Sequence, residues 1–149
     1  MTELSAVILE RVLPHPPEKV WRALTQPHLM AEWLAPVDFA AVCGHRFDLA
    51  FDWGKVMCEV QIVEHGKRLS YTWVSGTLNS TVTWTLDASH GGTRLRLEQT
   101  GFDSTRSRYF QGARAGWPRF LDALEAALSR IDHQVTPNSL TAMKTGTAE

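Results

Sequence analysis

Between residues 45 and 101 apolar and polar side chains alternate in run after run, with turn-forming clusters between several of the runs. Phe47, Leu49, Phe51 and Trp53 stand against Arg46, Asp48, Ala50 and Asp52. Val56, Cys58, Val60 and Ile62 follow, against Met57, Glu59, Gln61 and Val63. Beyond "EHGKR" at 64–68, Leu69, Tyr71 and Trp73 alternate with Ser70 and Thr72, and Val82, Trp84 and Leu86 with Thr81, Thr83 and Thr85. Beyond "ASHGG" at 88–92, Leu95 and Leu97 alternate with Arg94, Arg96 and Glu98. Successive side chains of a strand point to opposite faces, so this pattern predicts an antiparallel meander with one apolar and one wet face. An apolar sheet face has to be covered, and the remaining segments must supply the cover.

Residues 104–131 change to helical spacing. Tyr109, Ala113, Trp117, Leu121, Leu124 and Leu128 form one stripe, joined by Phe120 and Ile131. Pro118 removes a backbone donor inside it, and with Gly112 and Gly116 upstream a kink or break is expected near 114–118. At the other end, "LSAVILERVL" (4–13) reads as a strand, apolar on both faces in its middle and so expected to be covered on both sides. "PPEKVWRALTQPHLMAEWL" (16–34) reads as two short helices, each opening on a proline. The fold class is therefore α+β: one strand, two short helices, a run of strands, then a long amphipathic helix. A curved sheet wrapping one helix leaves space between them, and the short helices close one end. The domain is expected to span 1–132. The tail 133–149, containing "TPNSLTAMKTGTAE", is polar and aperiodic and reads as disordered.

Composition narrows the partners. Fifteen basic and 16 acidic residues leave a formal net charge of −1, which offers no electrostatic reason to bind nucleic acid or an anionic membrane. No stretch approaches the length of apolar residues that spans a bilayer. Glu3, Glu10 and Arg11 interrupt any signal-peptide core. Two cysteines without CxxC spacing fit a reducing cytoplasm.

The inward aromatics Phe47, Phe51, Trp53, Tyr71, Trp73, Trp84 and Trp117 are each accounted for singly as core. As a set, they put several tryptophan and tyrosine polar atoms on one concave face, which suits an apolar pocket with a few directional donors. Gln99 and Arg11 share inward faces, although near strand ends solvent access also explains them. His15, His28, His45, His65, His90 and His133 show no ligand spacing, so no metal is expected. "HGG" at 90–92 lies between two alternating runs and reads as a turn. Cys58, among Val56 and Val60, reads as a buried small hydrophobe. The small residues of "GARAG" (112–116) either admit another backbone or leave room for a ligand.

"ERVLPHPPEKVWRALTQPHLMAEWL", "GHRFDL", "CEVQIVEHGKRLSYTW" and "STVTWTLD…GGTRLRLEQTGF…GARAGWPRFLDALEAAL" resemble, in order and spacing, the homologues of the heat shock protein 90 ATPase activator. That family lies within the START-like (SRPBCC) superfamily, and the likeness runs from about residue 5 to 130. It implies the helix-grip, Bet v 1-like fold and an apolar cavity between the sheet and the C-terminal helix. The eukaryotic activators carry a further N-terminal domain that contacts the chaperone, for which this chain has no room.

The leading expectation is a cytoplasmic protein that binds a small hydrophobic or amphipathic molecule. Its walls would be Phe47, Phe51, Trp53, Cys58, Tyr71, Trp73, Trp84, Tyr109, Ala113 and Trp117, with Trp33 at the entrance and Trp21 in the core. No cofactor is expected. A cyclase- or hydrolase-type enzyme using the same cavity is the alternative, with Arg11, Asp48, Gln99 and Tyr109 as scattered polar candidates. A homodimer or a chaperone contact stays open.

Overall fold

A computed structural model describes residues 4–103 and 107–134. Strand β1 (Leu4–Leu13) leads into helices α1 (Pro17–Thr25) and α2 (Pro27–Trp33). Strands β2 (Arg46–Phe51), β3 (Gly54–Glu64), β4 (Arg68–Ser75), β5 (Leu78–Ser89) and β6 (Gly92–Asp103) follow, then helix α3 (Ser107–Gln134). The sheet is antiparallel throughout, in the order β1-β6-β5-β4-β3-β2. It curves around α3 in a helix-grip arrangement. Of the expected tail 133–149, residues 133 and 134 belong to α3 and the rest lie outside the described residues.

Register assembles the concave face in rows. Leu9, Leu97, Trp84, Leu69 and Val63 are successive cross-strand partners, as are Val7, Gln99, Val82, Tyr71 and Val60. Two bulges keep the rows in phase and bend the sheet. Gln61 and Ile62 together oppose Ser70, so Val63, not Ile62, packs against the core as the next inward residue. In β6, Gly101 is the extra residue between the Ser5–Phe102 and Ala6–Thr100 pairs. Its φ of +111° favours glycine, and a Cβ there would stand 2.7 Å from the Asn79 carbonyl oxygen.

Four expectations are corrected. β1 is an edge strand with one covered face: Val7 and Leu13 are buried, while Ile8 and Val12 are 49% and 65% exposed. Trp53 does not continue the β2 alternation; it sits in the tight turn before β3 and is 64% exposed. α3 is not broken near 114–118 but runs continuously through Pro118. β6 also continues to Asp103, so Gln99 lies well inside the strand and is buried.

Helices α1 and α2 form a corner whose hinge is Gln26, with Pro17 and Pro27 in the first turns. In a continued helix the Ala23 carbonyl would accept the N–H of residue 27, and Pro27 has none. The Trp33 indole N–H donates to that carbonyl instead, at 2.8 Å. Helix α3 is tied at its side to β1, where Arg11 Nη1 lies 2.7 Å from both Asp122 Oδ1 and Glu125 Oε2. It is tied to α2 through Arg130 Nη2 and Glu32 Oε1 at 2.8 Å.

Candidate functional site

Beneath the N-terminal half of α3, sheet and helix do not meet. A groove of about 710 Å³ remains between them, bounded by α3, the β2–β3 turn, the β4–β5 turn and the middle of β6. Its apolar walls come from Trp73, Leu78, Trp117 and Phe120, with Trp53 and Tyr109 toward the ends. The helix contributes little bulk: Gly112, Ala113, Ala115 and Gly116 face the space. A Cβ built on Gly112 or Gly116 meets no heavy atom within 4 Å. Among the described residues no neighbouring backbone packs against either glycine; Gly112 is exposed and Gly116 half-buried at the groove's edge.

The floor carries one polar chain. Trp117 Nε1–H donates to Gln99 Oε1 at 2.7 Å, Gln99 Nε2 donates to Ser80 Oγ at 2.9 Å, and Ser80 Oγ donates to the Trp73 carbonyl at 2.7 Å. Gln99 is 1% exposed, and its amide keeps one N–H and one lone pair beyond these bonds. It is the buried polar side chain that lines the groove. At the far end, the Thr77 N–H donates to the Tyr109 hydroxyl at 3.3 Å. Gly76, with φ +57°, makes this approach feasible, since a Cβ there would sit 2.5 Å from the hydroxyl oxygen.

The predicted wall residues fall into two groups. Trp53, Trp73, Tyr109, Ala113 and Trp117 line the groove. Phe51 lies directly behind it, its ring centroid 5.1 Å from Trp53, 6.1 Å from Trp73 and 5.8 Å from Phe120. Trp33, Phe47, Cys58, Tyr71 and Trp84 do not line it and lie in the packed core, in which Trp73 and Trp117 are buried as well. Trp33, expected at the entrance, is 4% exposed and set edge-on against Trp84. Trp84 is fully buried and donates its N–H to the Tyr71 hydroxyl at 2.9 Å. Phe47 packs between Tyr71 and Phe39. Trp21 is core as well.

Burial pushes the Cys58 thiol up to about 12, with the Asp48 charge adding to the effect. It stays protonated at neutral pH and is a poor nucleophile. Burial also raises the Tyr71 hydroxyl, against the opposing hydrogen bond from Trp84. The polar candidates for acid–base chemistry are dispersed. Asp48 is exposed on the outer side of β2, Arg11 is engaged by two carboxylates, and only Gln99 and Tyr109 reach the groove. No histidine, cysteine or carboxylate is among its described lining residues. Among the described residues no three His, Cys, Asp or Glu side chains could hold a metal ion together.

Lys55, Arg108 and Arg119 also border the groove and were not foreseen. The two arginines could have been found from their spacing with Gly112 and Ala115 along one side of α3. Lys55 carries no such signal, because the alternation of the sequence runs on through the β2–β3 turn to Trp53.

Among the described residues no helix is long and apolar enough to cross a membrane. The family model for "Activator of Hsp90 ATPase homolog 1-like protein" matches residues 14–129. Protein MLL2253 from Mesorhizobium loti is 49% identical over 85% of this chain and 98% of its own, with a TM-score of 0.81. DynU16, from the dynemicin biosynthetic locus, is 27% identical over 83% of this chain and 47% of its own, with a TM-score of 0.75. The Aha1 dimer from Colwellia psychrerythraea shares the fold at 19% identity, over 83% of this chain and 96% of its own, with a TM-score of 0.75. No curated protein matches the chain. With a family model covering most of its length and a START-like helix-grip fold, the chain belongs to the Activator of Hsp90 ATPase homolog 1-like family.

Proposed function

We propose that the protein binds a small, mainly apolar molecule in the groove beneath α3. The observation that carries this reading is the groove of about 710 Å³ lined by Trp73, Leu78, Trp117, Phe120 and the buried Gln99 amide, beside the small residues Gly112, Ala113 and Gly116 of α3. Pockets for organic ligands combine apolar walls with a few fixed polar groups, and Gln99 is such a group. Trp53, Trp73, Tyr109, Ala113 and Trp117 are the contact residues in this proposal, with Phe51 behind them. Trp33, Phe47, Cys58, Tyr71 and Trp84 support the floor from the core. Enclosure would contribute roughly 25 cal/mol for each Å² of apolar ligand surface removed from water. The likeness to DynU16 adds support for an organic ligand. The free cysteines, Cys43 and Cys58, accord with a cytoplasmic location.

The test is native mass spectrometry of gently purified protein beside its Gly112→Leu variant. Leucine adds a bulky side chain at the groove's edge and, being the better helix former by about 0.5–1 kcal/mol, does not weaken α3. The expected outcome is an apolar adduct at near-stoichiometric occupancy on the wild type, lost from a variant of equal or higher Tm. Equal occupancy in both would place the ligand elsewhere and sink the reading.

A further inference from the structure

The polar chain on the groove floor has a fixed direction. An indole N–H can only donate, so Trp117 Nε1 obliges the Gln99 amide to turn its oxygen toward it, at 2.7 Å. A backbone carbonyl can only accept, so the Ser80 hydroxyl gives its proton to the Trp73 carbonyl at 2.7 Å and accepts from Gln99 Nε2 at 2.9 Å. Both ends of the chain have a single role, and the amide between them has one allowed orientation. What remains of it is one N–H and one oxygen lone pair. Among the described residues no group takes up that second N–H.

The two leftovers are unequal. Gln99 is 1% exposed. A carbonyl oxygen that already accepts one strong hydrogen bond tolerates an empty lone pair, whereas a buried N–H without an acceptor is rare. Water in the open groove can accept that proton. A ligand that displaces the water must offer an acceptor of its own, or it leaves a buried donor unmet. Charge is not called for at this point. Every group in the chain is neutral, and the two tryptophans it joins line the groove with ring centroids 5.2 Å apart. The cross-strand neighbours of Gln99 are Val7 and Val82. An ionised head placed among them would lose its water and meet no opposite charge.

Resting on the ligand-binding reading above, we infer that the ligand is a neutral molecule carrying a carbonyl-type acceptor, and that Gln99 sets this specificity. The acceptor takes the second Gln99 N–H, and the apolar frame lies against Trp73 and Trp117. Trp117 is also a positioning residue, because its indole N–H holds the amide oxygen and leaves the nitrogen to the ligand.

The experiment is an NMR titration of isotope-labelled protein with 2-acetylnaphthalene, 2-ethylnaphthalene and 2-naphthoate, which share one apolar frame. The expected result is the acetyl compound binding about three- to tenfold tighter than the ethyl compound, the worth of one added hydrogen bond, with naphthoate weaker than the acetyl compound. The Gln99 side-chain amide signal should shift with the ketone and stay nearly still with the hydrocarbon. Gln99→Met keeps the length and removes the amide, and should bring the acetyl-to-ethyl ratio close to one. The wild-type titration decides even where that variant folds poorly. Equal affinity for the acetyl and ethyl compounds, or a Gln99 amide signal that ignores the ketone, overturns the acceptor and leaves the apolar groove standing. Tightest binding by naphthoate overturns the neutral ligand. Binding of none of the three probes overturns the groove reading and this inference together.

Discussion

Trp33 and Trp53 carry the same side chain to opposite ends of the burial scale, and their neighbours explain why. Trp33 closes the α1–α2 corner, where Pro27 leaves the Ala23 carbonyl without its helical donor and the indole N–H replaces it. Trp33→Phe would keep most of the buried ring and delete that donor. The orphaned carbonyl should cost about 1–3 kcal/mol, read as a lower urea midpoint at unchanged slope. Trp53→Phe, at an exposed turn position, should stay within about 0.5 kcal/mol of wild type. A smaller loss for Trp33→Phe than for Trp53→Phe would contradict the account. Gln99 was legible as an inward polar residue from its place after Leu95 and Leu97. Its burial and its bonds to Trp117 and Ser80 were not, because they depend on α3 crossing that point of the sheet.

At the scale of elements, strand phase and helix periodicity were readable wherever the repeat was regular, and failed where one residue was added. The bulge at Gln61 and Ile62 exchanges the inward roles of Ile62 and Val63, and a period-two reading has no means of seeing it. The reading of β1 as covered on both sides failed for another reason. Apolar residues on both faces do not reveal that a strand ends up at a sheet edge. Arg11, read as a group that could orient a ligand, is instead the fastening between β1 and α3. Its partners Asp122 and Glu125 are 72% and 43% exposed, so the pairing is partly screened. Arg11→Met should cost about 1 kcal/mol at low ionic strength and distinctly less in 1 M salt. Urea unfolding at the two salt concentrations checks this, and a salt-independent loss would assign Arg11 a packing role.

For the whole molecule, the buried thiol and phenol couple folding to alkaline pH. Cys58 has an ordinary value near 9 when unfolded and about 12 when folded, so the native state keeps a proton that the unfolded chain releases. Stability is complete below pH 9 and declines as pH rises toward 12, by up to about 1.4 kcal/mol per unit from this group. Tyr71, also raised by burial, steepens the fall above pH 10. Cys58→Ala should flatten the pH 9–12 slope even if its absolute stability is lower. An unchanged slope would mean that Cys58 is accessible in the native state. The sequence by itself determined the antiparallel meander, the two proline-opened helices and the long amphipathic helix, because burying one face imposes periods of 2 and 3.6 that survive in one dimension. Which aromatic rings pack as core and which border open space was decided only by the tertiary structure. Trp73 and Trp84 both occupy inward positions on neighbouring strands and read alike. Trp73 lines the groove beside α3, while Trp33 and Tyr71 close over Trp84.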